Sequence, residues 1–147
     1  MLVKQISVFL ENRKGRLAEA TQILSDQQIN ISALSIAETA DYGVLRLIVN
    51  KPDEAFRALQ KNGFTVKETE VIAIVIDHTP GGLNRILKIL DEADVSVEYI
   101  YAFVTKHYTQ NQALAAFKVE DNQKALLALQ KASVEIAKAE EIYQLSA

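Results

Sequence analysis

The chain has no cysteine and no tryptophan, and only two prolines and one methionine among its 147 residues. Without cysteine there can be no disulfide, no thiol nucleophile and no thiolate metal ligand. The two histidines, His78 and His107, are far apart in sequence and give no metal-ligand spacing. The longest purely apolar run, residues 71–76, is far shorter than the roughly 20 residues a membrane span requires. Met1-Leu2-Val3-Lys4 does not begin a basic segment followed by a long apolar stretch, so no signal peptide is expected. An excess of one charge is also missing. Sixteen basic and nineteen acidic residues leave a formal charge of −3, mixed along the chain, with no footprint for nucleic acid. No G-x-S-x-G elbow, phosphate-binding loop or G-x-G-x-x-G is present. The adjacent acids Asp91-Glu92 and Glu140-Glu141 point apart on a helix or strand. The expectation is a cytoplasmic protein that is not an enzyme, with no cofactor or metal and no nucleic-acid or membrane partner.

What is present is an ordinary globular composition, 49% hydrophobic and 24% charged, and a repeat. A shift of 66 positions lays Gly15-Arg16-Leu17 on Gly81-Gly82-Leu83, and Ile29-Asn30-Ile31 on Val95-Ser96-Val97. Further on, Ala58-Leu59-Gln60-Lys61 equals Ala128-Leu129-Gln130-Lys131 at a shift of 70. Four extra residues therefore belong to the second copy, placed here around residues 106–112. An ordered series of such matches marks duplication.

Each copy reads strand, helix, strand, strand, helix, strand. In copy one, residues 5–10 are rich in Ile, Val and Phe and predict a strand. Leu17, Ala20, Ile23 and Leu24 recur at helical spacing. Residues 29–38, 44–49 and 64–70 predict the other strands. Pro52, with Asp53 and Glu54 behind it, predicts the start of the second helix, and Gly63 its exit. In copy two, strands are predicted at 71–76, 95–104 and 114–119. The second strand carries Tyr99, Tyr101 and Phe103 on one face, where they suit core or seam packing better than a ligand cage. Asp121 predicts a helix cap, and residues 134–145 the last strand. The fold class is α+β: two ferredoxin-like βαββαβ sandwiches, each an antiparallel sheet in order 4-1-3-2 with helices on one face. The boundaries fall at 1–69 and 70–147. No linker separates the copies, so residues 64–76 must end one and begin the other, and exchange of strands across that boundary stays open.

Two segments carry a resemblance. Leu10-Glu11-Asn12-Arg13-Lys14-Gly15-Arg16-Leu17 followed by Asn30-Ile31, and Asp77-His78-Thr79-Pro80-Gly81-Gly82-Leu83 followed by Ser96-Val97, resemble the ACT domain family. Similar members include the serine-sensing ACT domain of phosphoglycerate dehydrogenase and the small subunits of acetolactate synthase. Lys14 stands where the family usually has proline, and Ser96 where it usually has asparagine. The resemblance implies domains joined side by side through their second strands, with an effector pocket at the seam between one first loop and the partner's second strand. It implies a regulatory protein of amino-acid metabolism that binds a small free amino acid. The implied assembly is a homodimer or a complex with an enzyme of amino-acid metabolism.

Elementary chemistry agrees with such a ligand. A helix entrance favours a carboxylate, glycines let the backbone come close, and an asparagine amide both donates and accepts. The candidate ligand residues are Asn12, Arg13, Lys14, Gly15, Arg16, Leu17, Asn30 and Ile31 in copy one, and His78, Thr79, Pro80, Gly81, Gly82, Leu83, Ser96 and Val97 in copy two. Pairing within one chain would join Asn12–Leu17 with Ser96, and His78–Leu83 with Asn30. Pairing between chains would bring Asn12 to Asn30 of its mate. The alternative function is a pairing subunit without its own ligand that docks on a biosynthetic enzyme such as acetolactate synthase.

Overall fold

In the computed structural model, residues 2–39, 41–104 and 111–145 are described. His107 and most of the expected four-residue insertion lie outside them.

Copy one begins with β1 (Leu2–Glu11), α1 (Arg16–Asp26), β2 (Ile31–Glu38), β3 (Tyr42–Val49) and α2 (Pro52–Lys61). Then comes β4 (Thr65–Asp77), followed by α3 (Gly82–Glu92), β5 (Val97–Ala102), β6 (Gln112–Val119), α4 (Asn122–Lys131) and α5 (Ala139–Gln144). Pro52 opens α2, where its missing N–H costs nothing, and Asp53 and Glu54 occupy the first turn. The Asp121 carboxylate accepts from the Lys124 N–H at 3.1 Å and caps α4.

The six strands form one antiparallel sheet in the order β2-β3-β1-β4-β6-β5. The repeat explains it. The first part of β4 pairs with β1 (Leu2↔Ile72 to Phe9↔Thr65) and is the fourth strand of copy one. The remainder pairs with β6 (Ile72↔Phe117 to Asp77↔Gln112) and is the first strand of copy two. One 13-residue strand thus serves both copies. Copy one reads β4-β1-β3-β2, the expected 4-1-3-2.

The fourth strand of copy two departs from expectation. Residues 134–145 are not one strand. Only a short extended piece lies on β4, through Val75 N–H to Glu135 O at 3.0 Å, Ala137 N–H to Ala73 O at 2.9 Å and an Ile74↔Ile136 bridge. It lies on the strand that opens its own copy. Then α5 begins. The reason is spacing: Ala139, Ile142 and Leu145 recur every three residues, which brings them onto one helical face, and all three join the inner core.

Side chains alternate across the sheet. Ile6, Val8 and Leu10 face α1 and α2 over Leu24 and Leu59. Ile72, Ile74 and Ile76 face α3 and α4 over Ile86, Leu90 and Leu129. The opposite face is also dry: Val3, Ile48, Val71, Ala73, Tyr101, Leu114, Ala116 and Ile142 form a third cluster. It is dry because the sheet curls. Its two outermost strands, β2 and β5, meet at an antiparallel Ala33↔Phe103 bridge, and Val104 N–H donates to Ser32 O at 2.9 Å. The curl brings the inner faces of the two copies together, with α5 closing one end.

A polar network crosses this inner core. Gln5 is fully buried; its Nε2 donates to Tyr99 Oη at 2.8 Å and to Ser7 Oγ at 3.1 Å. Arg46 stacks on the Tyr99 ring at 3.7 Å. Tyr99 and Tyr101 are therefore packed at the seam between the copies.

Candidate functional site

At the end of β1 the chain turns through Asn12, Arg13, Lys14 and Gly15 into α1. Arg13 N–H donates back to Glu11 O at 2.7 Å. Gly15 has φ +91°, a left-handed conformation that disfavours any other residue, and it caps α1 with no side chain closing the helix entrance. Because β1 and β2 run parallel within the copy, the β2–β3 hairpin reaches the same end. Between loop and hairpin lies a cleft of about 210 Å³. Asn12, Arg13, Gly15, Arg16 and Leu17 line one wall, and Ile36, Glu38, Thr39, Tyr42 and Gly43 the other, with Leu10 and Glu11 between them.

Five of the expected residues of copy one are thus together, while Lys14 is exposed and off the lining. Asn30 and Ile31 are at the far end of β2, about 23 Å of strand away. There the Asn30 N–H donates to Asn50 Oδ1, and the Ile31 N–H to Asn30 Oδ1, both at 3.0 Å. Glu38, Thr39 and Tyr42, which were not among the candidates, border the same cleft, because the parallel run of β1 and β2 places the hairpin there.

Copy two repeats the loop. Gly81, at φ +87°, caps α3, and the His78 N–H donates to Asn111 O at 2.8 Å. Gly82 lies against the Asp77 carbonyl so closely that a Cβ would collide with it. Asp77 and Gly82 open on a second cleft of about 210 Å³ with Arg85, Gln112 and Glu135. His78, Thr79, Pro80, Gly81 and Leu83 are outside that lining. Ser96 and Val97 border a third cleft with Leu87, Asp91 and Asp94. None of these three clefts joins Ser96 to Asn12, or Asn30 to the His78 loop.

Among the described residues, no group of three or more metal-ligating side chains comes together. Among the described residues, no helix is long and apolar enough to cross a membrane.

The family model of the ACT domain pair matches residues 1–145. The chain belongs to the ACT domain pair family. The family is regulatory. A crystal structure of a protein from Bacteroides thetaiotaomicron is 40% identical to this ACT pair, with a TM-score of 0.91, covering 99% of this chain and 98% of that one. The ligand-free regulatory subunit of aspartate kinase from Thermus thermophilus superposes with a TM-score of 0.63 at 17% identity, over 89% of this chain and 93% of its own. That of Thermus flavus gives 0.59 at 16%, over 88% and 92%. At such identity these two share the fold of the ACT pair. No curated protein matches its sequence.

Proposed function

We propose that this ACT pair is a non-catalytic amino-acid sensor whose effector binds in the copy-one cleft. The observation that carries the reading is the shared opening: Gly15 at the uncapped entrance of α1 and Glu38 on the hairpin line one small cleft. The helix entrance and Arg13 suit an α-carboxylate, and Glu38 suits an α-ammonium. Asn12 supplies an amide beside them, and Leu17, Ile36 and Tyr42 an apolar wall for a small side chain. Its size suits a ligand smaller than the 300–1,000 Å³ typical of drug-like sites.

The cleft is completed by a second copy of the chain. Leu34 and Ile36 on β2 are each 43% exposed, large apolar groups on an outer strand that, among the described residues, is paired on that side at Ser32 and Ala33. Antiparallel pairing of two β2 strands along the stretch beyond Ala33 would set Leu34 and Ile36 of the two chains against each other, beside the hairpin wall of each cleft. Binding then shifts the balance between arrangements by the ligand's differential affinity for them. The regulated partner is an enzyme of amino-acid metabolism, a reading supported by the fold shared with aspartate kinase regulatory subunits.

Thermal denaturation against the twenty amino acids tests this. A ligand at about 100 times its Kd adds roughly 2.7 kcal/mol, which raises the midpoint by roughly 5–10 °C at this size. Asn12→Ala and Glu38→Gln should remove the shift. A flat response to all twenty would defeat the sensor reading and leave a pairing subunit that docks without a ligand.

A further inference from the structure

The two halves of the shared strand β4 are covered differently. Residues 65–72 pair with β1 on one side. β6 lies on the other side, but its pairing runs only from Ile72 to Asp77. After Val119 the chain enters α4 at Asn122. Among the described residues, no strand covers that side of residues 65–69. A strand in an antiparallel ladder turns about half of its backbone groups toward each neighbour, so this half of β4 presents open amides and carbonyls.

A groove of about 500 Å³ borders the open edge. Leu2 and Glu70 line it from the sheet, and Gln123, Leu126, Leu127 and Gln130 from α4. Leu127 is 59% exposed. The repeat puts Arg57 of α2 at the same position, so the fold itself does not demand an apolar side chain there. The charges beside the groove are unbalanced. Lys4 pairs with Asp53 at 3.0 Å but with Glu68 only at 4.0 Å. Glu70 shares the face of Glu68, and Lys67 is on the opposite one. Both are exposed and form no ion pair among the described residues.

The same charges oppose a second copy of the chain on this edge. Two β4 strands related by a two-fold axis pair antiparallel, with opposing residues on one face. Registers centred on Lys67, Glu68 or Thr69 set Lys67 against Lys67, Glu68 against Glu68, or Glu68 against Glu70, which is unfavourable. A register centred on Val66 avoids like charges but joins only residues 65–67, because β4 begins at Thr65.

We propose that this edge binds an extended segment of another protein, added as a strand antiparallel to β4. The surface dictates its chemistry. An arginine or lysine opposite Glu68 is diagonal to Glu70, within reach of a long side chain. Its head meets the two carboxylates while its apolar stem covers Leu126 and Leu127. The next residue, on the opposite face, is an aspartate or glutamate facing Lys67. Backbone hydrogen bonds supply affinity, and the basic-acidic pair fixes register. This surface is separate from the copy-one cleft and needs no dimer through β2.

The test uses a cyclised β-hairpin peptide whose outer strand carries Arg-Glu between threonines, and a control peptide with Glu-Arg. Each is titrated into the full chain and followed by backbone amide NMR. The Arg-Glu peptide should give saturable shifts at residues 65–69, and the control should bind about tenfold more weakly. Exchanging the charges, Lys67→Glu with Glu68→Lys, should reverse that preference. Leu127→Arg, the residue copy one uses, should weaken the Arg-Glu peptide about tenfold with no change in melting temperature, since the side chain is exposed. Absence of shifts at residues 65–69 up to about 5 mM peptide would overturn the proposal. Equal binding of the two peptides would do the same, as would unchanged binding by Leu127→Arg. Shifts confined to residues 31–36 would also overturn it and would put the peptide on β2 instead.

Discussion

Tyr101 of the second copy donates its hydroxyl hydrogen to Gln5 Oε1 of the first, at 2.7 Å, in the dry space between their sheets. Tyr101→Phe leaves that oxygen buried without this donor, so the variant should lose about 1–3 kcal/mol. Urea denaturation measures it. Replacing both residues, with Gln5→Leu added, should recover part of the loss because the unsatisfied group goes too.

The same burial sets a pH dependence. Desolvation first, and the neighbouring Tyr99 second, hold the Tyr101 hydroxyl well above the ordinary tyrosine value of 10.0. Tyr143, half-buried with its oxygen accepting from the Lys4 N–H at 2.9 Å, is shifted the same way, chiefly by burial. The folded state thus keeps protons that the unfolded chain releases near pH 10. Their contribution is fully present below that pH and declines as pH rises above it. Stability should fall above pH 10, with Tyr101 giving up to about 1.4 kcal/mol per pH unit. Melting curves from pH 8 to 11 should show a shallower decline for Tyr101→Phe; an equal slope in both proteins would contradict the assignment.

Two glycines should respond differently to alanine. At Gly15 the added Cβ meets nothing within 4 Å, and only the φ of +91° opposes it, so about 1–2 kcal/mol is expected. At Gly82 the Cβ runs into the Asp77 carbonyl and the backbone must move, with an expected cost of about 2–3 kcal/mol. Chemical denaturation of the pair separates conformational strain from collision.

Ile142 on α5 is fully buried in the inner core. Ile142→Ala should cost about 2–5 kcal/mol. Dye binding to newly exposed apolar surface is the companion measurement, since α5 closes one end of that core.

The exposed Leu34 and Ile36 predict a solution dimer. Sedimentation should show two chains, and Ile36→Lys should weaken their association at least about tenfold by placing a charge in the contact. A monomer at all concentrations would remove the proposed second chain beside the copy-one cleft.

Local and periodic features of this fold could be read from the chain. Pro52, Asp121 and the paired glycines of the two loops mark helix starts through backbone chemistry alone. The lack of a linker foretold that residues 64–76 serve both copies. Residues 134–145 were misread as one strand because Val134 and Ile136 suit a strand face, while the helical spacing of Ala139, Ile142 and Leu145 begins only beyond them. The curl of the sheet was illegible: nothing beside Gln5 or Tyr101 in sequence signals a partner about a hundred positions away. For the same reason Asn12 and Leu17 were named as candidates and the hairpin residues Glu38 and Tyr42 were not, since the hairpin borders the cleft only through the path of the strands.

β4 gives the molecule a spine that both halves share. A cut at its middle would strip copy one of an outer strand and copy two of its opening one, exposing ladders of unpaired amides on both fragments. The halves cannot be traded between genes as beads on a string. Any transplant must carry the whole strand.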